Sequence, residues 1–474
     1  MMKREELEAL DKSVLVELVL ALTAKVAELT AKVAELEARL NRNSSNSSKP
    51  PSSDGYKKPL KSLRKPSDKA AGGQRGHEGS GFKIEREPDI YITHGPGECA
   101  DCPNRTNCEG GQEVCETRYE VDIDIRTRTT AHRKTRILCP LTQTVLTGDF
   151  PANITGAVQY GVNLEALAIS LNMVGMVSVN RTHEILSGVF GIPISTGTIS
   201  SMVSDCADTM TPSVEGIKEA IKQESIVSYD ETGTRVDKKT VWAHVASTDK
   251  LTYIDIQEKR GKVGINAIGI LAQFLGTAIH DCFVAYFSYN CNHGLCNAHL
   301  LRELLAVWEN VKQSWSQTLT ELLLTMKKMK EELLSNGISI APPDLSEMFS
   351  RKYDEILAEA LTLNPVPPRE GKRKPKRGKT GALVDRLILR KKQYLLFFAD
   401  FDVPFDNNQA ERDFRLFKVK QKVSGCFRTM TGAKDFATIS SYVGTARKLG
   451  VPAFAAIKSA LMGEPLLLPT SATE

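Results

Sequence analysis

No apolar run in this 474-residue chain approaches the ~20 residues needed to span a bilayer. The opening stretch, MMKREELEAL, lacks the apolar core of a secretory signal. A cytoplasmic location with no membrane partner is therefore expected. An excess of one charge is missing too: 62 Lys and Arg face 57 Asp and Glu, a net charge of +5. So small a surplus permits a polyanionic partner without arguing for one, and the placement of the charge decides. The rest is ordinary, with 41% hydrophobic and 25% charged residues. That describes a globular chain long enough for about two to four domains.

Residues 42–92 lack something else, large apolar side chains. From Asn41 to Gly81 the chain is rich in Ser, Pro, Gly and Lys. Such a composition cannot bury enough surface to offset its ordering entropy, so a flexible basic linker is expected. Its cations also suit a phosphate backbone. Ahead of it, residues 1–41 carry a heptad pattern. Val19, Val26, Val33 and Leu40 occupy one core position, and Leu15, Leu22, Leu29 and Leu36 the other. Val at a with Leu at d favours a parallel two-stranded coiled coil, and Lys32 and Glu37 fall where they can pair between chains. A homodimer or higher oligomer through this zipper is expected.

Five of the ten cysteines lie between Cys99 and Cys139. In a reducing compartment that clustering points to metal before disulfides. Cys99 and Cys102 form a CxxC pair, but a second pair is missing, because Cys139 is followed by Pro140, Leu141 and Thr142. Residues 93–155 are expected to form a zinc-ribbon-like β module. Its ligands would be Cys99, Cys102, Cys108 and Cys139, with Cys115 and His132 as substitutes. Ordinary reduced cysteines are the competing reading.

Residues 156–222 read as a helix, a Gly/Pro turn and a second helix capped by Ser195 or Thr196. That is the spacing of a helix-turn-helix DNA-binding region, with Thr198, Ser200 and Ser201 at the start of the second helix. Nothing basic lines that helix. From Ile226 the pattern alternates with period two. Three β runs, a helix and a short strand give the β-β-β-α-β order of a ribonuclease H-like core over residues 223–296. A helical insertion is expected over 297–400, broken by NPVPPREGKRKPKRGKTG. Its Lys372, Arg373, Lys374, Lys376 and Arg377 form an exposed run read as a phosphate-contacting loop. Residues 401–474 return to helices. The expected fold class is multidomain α+β.

Asp230, in IVSYDETG, and Asp281, in AIHDCFVAY, fall at strand ends, and aspartate does nothing for a strand. In a ribonuclease H-like sheet the first and fourth strands are neighbours, so the two carboxylates would converge. Adjacent carboxylates repel unless a cation lies between them, and hard oxygen ligands suit Mg²⁺. Glu411, in FDNNQAERDFRLFKVKQK, is the candidate third ligand of a two-ion site. Arg415, Lys418 and Lys422 would share its helix face, ready for phosphates, with Ala410, Phe414, Phe417 and Gln421 towards the sheet. Alternatively, Asp230 and Asp281 form turns, while Glu411 closes a capping box and pairs with Arg415.

These parts, in this order, resemble the insertion sequence 66 family of transposases, bacterial DDE-type enzymes. The resemblance is carried by the zipper, NSSKPPSSDG, GGQRGHEG, the cysteine region, DETG, HDCFVAY, CNAHLLREL, DNNQAERDFR and TARKLG. It implies that Asp230, Asp281 and Glu411 are catalytic ligands of two Mg²⁺ or Mn²⁺ ions. It implies DNA cleavage and strand transfer by phosphoryl transfer, on the element's terminal repeats and a target, without a covalent protein–DNA intermediate. Accessory element-encoded proteins are implied as further partners. CNAHLLREL matches a Cys-x-x-His signature and marks Cys296, His299 and Arg302 as a candidate accessory site. The family pattern has two basic residues after the histidine, where this chain has Leu300 and Leu301 before Arg302. Competing function classes are a DNA-binding regulator with an inactive core and a metal-dependent endonuclease that joins no strands.

Elemental analysis of the purified protein is expected to find about one zinc per chain, a content that Cys99→Ser should lower. Zinc-free protein would leave the cysteines as ordinary thiols.

Overall fold

Heptad-spaced Val and Leu build one long helix, α1 (Lys12–Leu40), and among the described residues its stripe is exposed. Val19, Leu22, Val26, Leu29, Val33 and Leu36 are 50–61% exposed. The computed structural model describes residues 11–40, 87–94, 102–103, 106, 113–123, 126–368 and 377–466. Most of the expected linker, together with Cys99, Cys108, Lys372, Arg373, Lys374 and Lys376, lies outside them. The chain divides into two units, residues 61–132 and the remainder. Of the β module expected over residues 93–155, the described residues form two short strands, β1 (Arg136–Leu138) and β2 (Val145–Thr147), which pair with each other. Upstream, Tyr119, Val121 and Ile123 are 58–80% exposed; alternation alone does not make a strand without a neighbour to pair with.

The helical region begins with α2 (Val162–Ile169), which runs into a π-helical turn, Ser170–Val174. The hairpin that follows is α3 (Val179–Phe190) and α4 (Thr196–Lys222). Gly191 ends α3 at φ 64°, a left-handed position that glycine adopts without strain. Ser195 is the N-cap of α4, its hydroxyl accepting from the Thr198 N–H at 3.0 Å. Ile199, Met202, Cys206, Met210, Val214, Ile217 and Ile221 are buried along one side of α4. Thr198 is half-buried, while Ser200 and Ser201 are exposed.

The alternating segment folds as expected into a mixed sheet in the order β5-β4-β3-β6-β7. Its strands are β3 (Ile226–Val236), β4 (Lys239–Ser247), β5 (Thr252–Gln257), β6 (Thr277–His280) and β7 (Asn292–Leu295). Asp237 and Lys238 join β3 to β4 at φ 45° and 65°, a tight two-residue turn whose twist matches the strands. The helix expected over KVGINAIGILAQFLG is short: α5 (Lys262–Ile268) stops at Gly269, φ 75°. β3 pairs antiparallel with β4 and parallel with β6, and β6 pairs parallel with β7.

The stretch after β7 is helical: α6 (Asn297–Val311), α7 (Trp315–Ser335) and α8 (Pro343–Leu363), followed by α9 (Lys379–Leu389) and α10 (Lys391–Ala399). These helices bury their own apolar cluster, including Trp315, Tyr353, Phe397 and Phe398, joined to the sheet through Ile279 and Leu295. A Cβ at Gly294 on β7 would lie 2.6 Å from Ile279 Cδ1 on the neighbouring strand, so a larger residue there would have to displace that side chain. The remaining helices are α11 (Asn408–Asp413), α12 (Arg415–Ser424), α13 (Met430–Lys448) and α14 (Ala453–Leu461). They share one core with α2–α4 and the sheet. Among the described residues no helix is long and apolar enough to cross a membrane.

Leu29→Pro removes a helical hydrogen bond and kinks α1 in the middle of its stripe. It is expected to turn the oligomer into monomer by light scattering; an unchanged mass would count against the zipper.

Candidate active site

The parallel register of β3 and β6 opposes Ile226 to Thr277 and Ser228 to Ile279. Two residues further along each strand line stand Asp230 and Asp281, on the face that this pair defines. Asp281 is the first residue beyond β6, as its sequence position implies. Asp230 differs from expectation: β3 continues past it to Val236, because β4 pairs with it along its length. Asp230 Oδ1 accepts the Glu231 N–H at 2.8 Å, and Asp281 Oδ1 accepts the Phe283 N–H at 2.9 Å. Burial pushes Asp230 well above the usual carboxylate range, helped by the charges of Glu231, Asp281 and Glu411. Burial also raises Asp281, and the Phe283 N–H, Arg260 and Arg386 oppose the rise.

Glu411 is delivered by α11, and the DNNQ segment fixes where that helix begins. Its N-cap is Asn407, with no side-chain cap bond. Instead Asn407 Nδ2 donates to the carbonyl of Tyr229, next to Asp230, at 2.8 Å. The Asn407 N–H donates to Cys296 Sγ at 3.2 Å. At the other end, Asp413 Oδ2 accepts from Ser247 Oγ at 2.6 Å, Thr252 Oγ1 at 3.0 Å and Lys448 Nζ at 2.8 Å. Ala410, Phe414 and Phe417 are buried, the apolar side expected of this segment. The segment is interrupted at Phe414, so Glu411 and the basic residues lie on two short helices rather than one.

The Cys-x-x-His signature arrives at the same place. Cys296 precedes α6, and His299 and Arg302 on its first turns face Glu411. His299 Nε2 is 3.7 Å and Arg302 Nη2 is 3.5 Å from Glu411 Oε1. Glu411 is raised by burial, and Arg302 is the first of the charges opposing that rise. Among the described residues no three His, Cys, Asp or Glu side chains are gathered closely enough to hold one ion by themselves.

Of the expected phosphate contacts, Lys418 reaches inward, its Nζ donating to the Gly233 carbonyl at 3.4 Å. Burial lowers its pKa and Asp230 opposes that. Arg415 and Lys422 are exposed. Arg377 departs from the expected exposed run: its side chain is 10% exposed, paired with Asp385 and donating to the Asn364 carbonyl. It closes the loop onto α9 rather than offering a free cation. Cys102 and Cys115 are exposed free thiols. Cys139 sits at the β1–β2 turn, where the Thr142 hydroxyl and the N–H groups of Thr142 and Leu141 lower its pKa.

Sequence reasoning missed a trio in which the exposed Arg260 caps the buried Glu231 and Tyr286. Glu231 Oε1 accepts from Arg260 Nε at 2.9 Å and Oε2 from the Tyr286 hydroxyl at 2.5 Å. Burial and then Asp281 push Glu231 up to about 7. The Arg260 guanidinium lies 5.0 Å from the Trp242 ring centre and 4.3 Å from that of Phe283. The available signal was the second acidic residue in DETG, a buried charge inside a strand.

The model of the transposase IS66 family matches residues 157–435, which holds the sheet, the insertion and α11. The chain belongs to the IS66 family of transposases. A transposase function, and with it DNA as partner, follows from that membership. Residues 1–83 separately match a family of unknown function, DUF6444. No curated protein matches the chain. Asp230, Glu231, Asp281, His299, Arg302 and Glu411 of this transposase all lie inside the matched span.

Lys448→Met strands Asp413 beside two hydroxyls, with both charged partners now largely buried. Breaking such a pair is expected to cost about 3 kcal/mol, read as a lower urea midpoint. A midpoint unchanged from wild type would remove the ion pair as the anchor of α11.

Proposed function

We propose that the chain is a DDE-type transposase that cuts the ends of an insertion element and joins them to target DNA, using Asp230, Asp281 and Glu411. The observation that carries this reading is the β3–β6 register, which sets Asp230 beside Asp281, together with the Asn407–Tyr229 hydrogen bond that brings α11 to the same strand. The sheet order, with three antiparallel-linked strands followed by two parallel ones, supports a ribonuclease H-like core.

The donor set suits a divalent cation. Three hard carboxylates, each raised by burial, are costly to ionise together without a positive charge among them. Asp230, Asp281 and Glu411 would hold Mg²⁺ or Mn²⁺. When bound, two such ions supply charge stabilisation to the attacking and leaving oxygens of an in-line phosphoryl transfer, first with water and then with the released 3′-OH.

The chain's own groups supply orientation and charge. Lys418 stands against β3 beside Asp230, and the exposed Arg415 and Lys422 extend the cationic file for a DNA backbone. Arg260 and Tyr286 hold Glu231 in place, so Glu231 acts as a support under the Asp230–Asp281 pair rather than as a further ligand. The uncovered stripe of α1 supports self-association, which would bring two element ends together. The α3–α4 hairpin is the candidate DNA-reading element.

Asp230→Asn and Glu411→Gln are each expected to reduce Mg²⁺-dependent nicking of an element end by at least about a hundredfold while the protein stays folded. Nicking at wild-type rate in either variant would overturn the assignment. A pre-cleaved 3′-OH end supplied with plasmid should yield joined products; cleavage without joining would make the enzyme a nuclease.

A further inference from the structure

Helix α6 belongs to the insertion, yet its first turns face the core. His299 and Arg302 are three residues apart and therefore share a helix face. Both approach one oxygen, Glu411 Oε1, at 3.7 Å and 3.5 Å. Arg302 is not a loose surface cation. Its side chain is 19% exposed, and its Nε donates to the Ala298 carbonyl one turn back at 3.4 Å.

His299 reaches the Glu411 oxygen through its Nε2. Its Nδ1 is buried without a hydrogen-bond partner. Arg302 brings a cationic guanidinium to the same oxygen. A fixed positive charge thus faces the same carboxylate oxygen that a divalent cation would need, and two cations compete for one carboxylate.

We propose that Arg302 is a positioning residue of the active site: from the helical insertion it aims Glu411 and competes with the divalent cation for it. The proposal rests on Glu411 being a metal ligand. It gives the insertion a role in setting the metal affinity of a core that it does not belong to. Arg302 acts through Glu411, so removing it strengthens cation binding, which loss of a merely structural contact would not do.

The test is calorimetric titration of Mn²⁺ into the full-length protein without DNA. Arg302→Gln is expected to bind Mn²⁺ about tenfold more tightly than wild type, the low end of what a charge at this range does to a carboxylate. Arg302→Lys keeps the charge and should stay within about threefold of wild type. In a Glu411→Gln background the Arg302→Gln gain should vanish, because the shared oxygen has lost its charge. Should Arg302→Gln fail to fold by circular dichroism, Arg302→Met removes the charge at similar length. Unchanged or weaker Mn²⁺ binding in the charge-removed variant overturns the proposal, as does a gain that persists without Glu411. Asp230→Asn and Glu411→Gln separate the two levels. If they weaken Mn²⁺ binding while Arg302→Gln has no effect, only this proposal fails. If they do not weaken it either, the carboxylate reading fails first.

Discussion

A helix of six residues cannot hold its own shape, since nucleation costs more than so few hydrogen bonds return. Helix α11 (Asn408–Asp413) is that short, yet it carries Glu411. The structure meets the constraint by tying both ends to other elements. Asn407 bonds β3 through the Tyr229 carbonyl and the start of α6 through Cys296. Asp413 bonds β4, β5 and α13 through Ser247, Thr252 and Lys448. α13 is held in turn by the edge of β5, whose Thr252 and Ile254 N–H groups donate to Thr445 and Ser441. Those bonds also cover an edge strand that would otherwise expose unpaired backbone groups. The TARKLG motif therefore matters to Glu411 without touching it.

The second constraint is electrostatic. Glu231, Asp281 and Glu411 all add their charge to that of Asp230, and each of the four carboxylates is raised by burial. They are not compensated equally. Glu231 has two strong side-chain donors, Arg260 and Tyr286, and is structurally satisfied. Asp230 accepts only the neighbouring backbone N–H of Glu231, with Lys418 acting on it electrostatically. Adjacent residues on one strand thus divide the work: one carboxylate is locked, the other is left with its charge unneutralised. That difference is why the cation ligand proposed above is Asp230 and not Glu231.

The parts of this arrangement legible in the sequence are those with a local signature. Alternation identified the strands, and aspartates are conspicuous where strands should hold apolar residues, so Asp230 and Asp281 stood out. Glu411 was ambiguous, because a third-position glutamate also closes a capping box; the helix start at Asn407 uses its side chain on β3 instead. The Glu231–Arg260–Tyr286 trio was invisible. Its members are 29 and 55 residues apart, and no periodicity links positions on different elements. The early stop of α5 and the break at Phe414 were also missed, since apolar spacing continued through both. Arg377 read as part of a basic run until its contact with Asp385, eight residues on, took it out of solvent.

The insertion follows from the same local geometry. It leaves the sheet at Cys296 and returns at Asn407, and its two ends are fastened to each other. The Asn297 N–H donates to the Phe405 carbonyl at 3.1 Å, and the Asn407 N–H to Cys296 Sγ at 3.2 Å. A closed neck lets a long excursion sit in the core at little extra loop-closure cost, because that cost grows only with the logarithm of length. The neck includes Asn407, which starts α11, and Cys296, three residues before His299. Any displacement of α6 at its base is therefore transmitted to Glu411 through Cys296 and Asn407, as well as through Arg302. The insertion and the carboxylate are joined by backbone geometry on one side and by charge on the other. Severing the charge while keeping the neck intact separates the two.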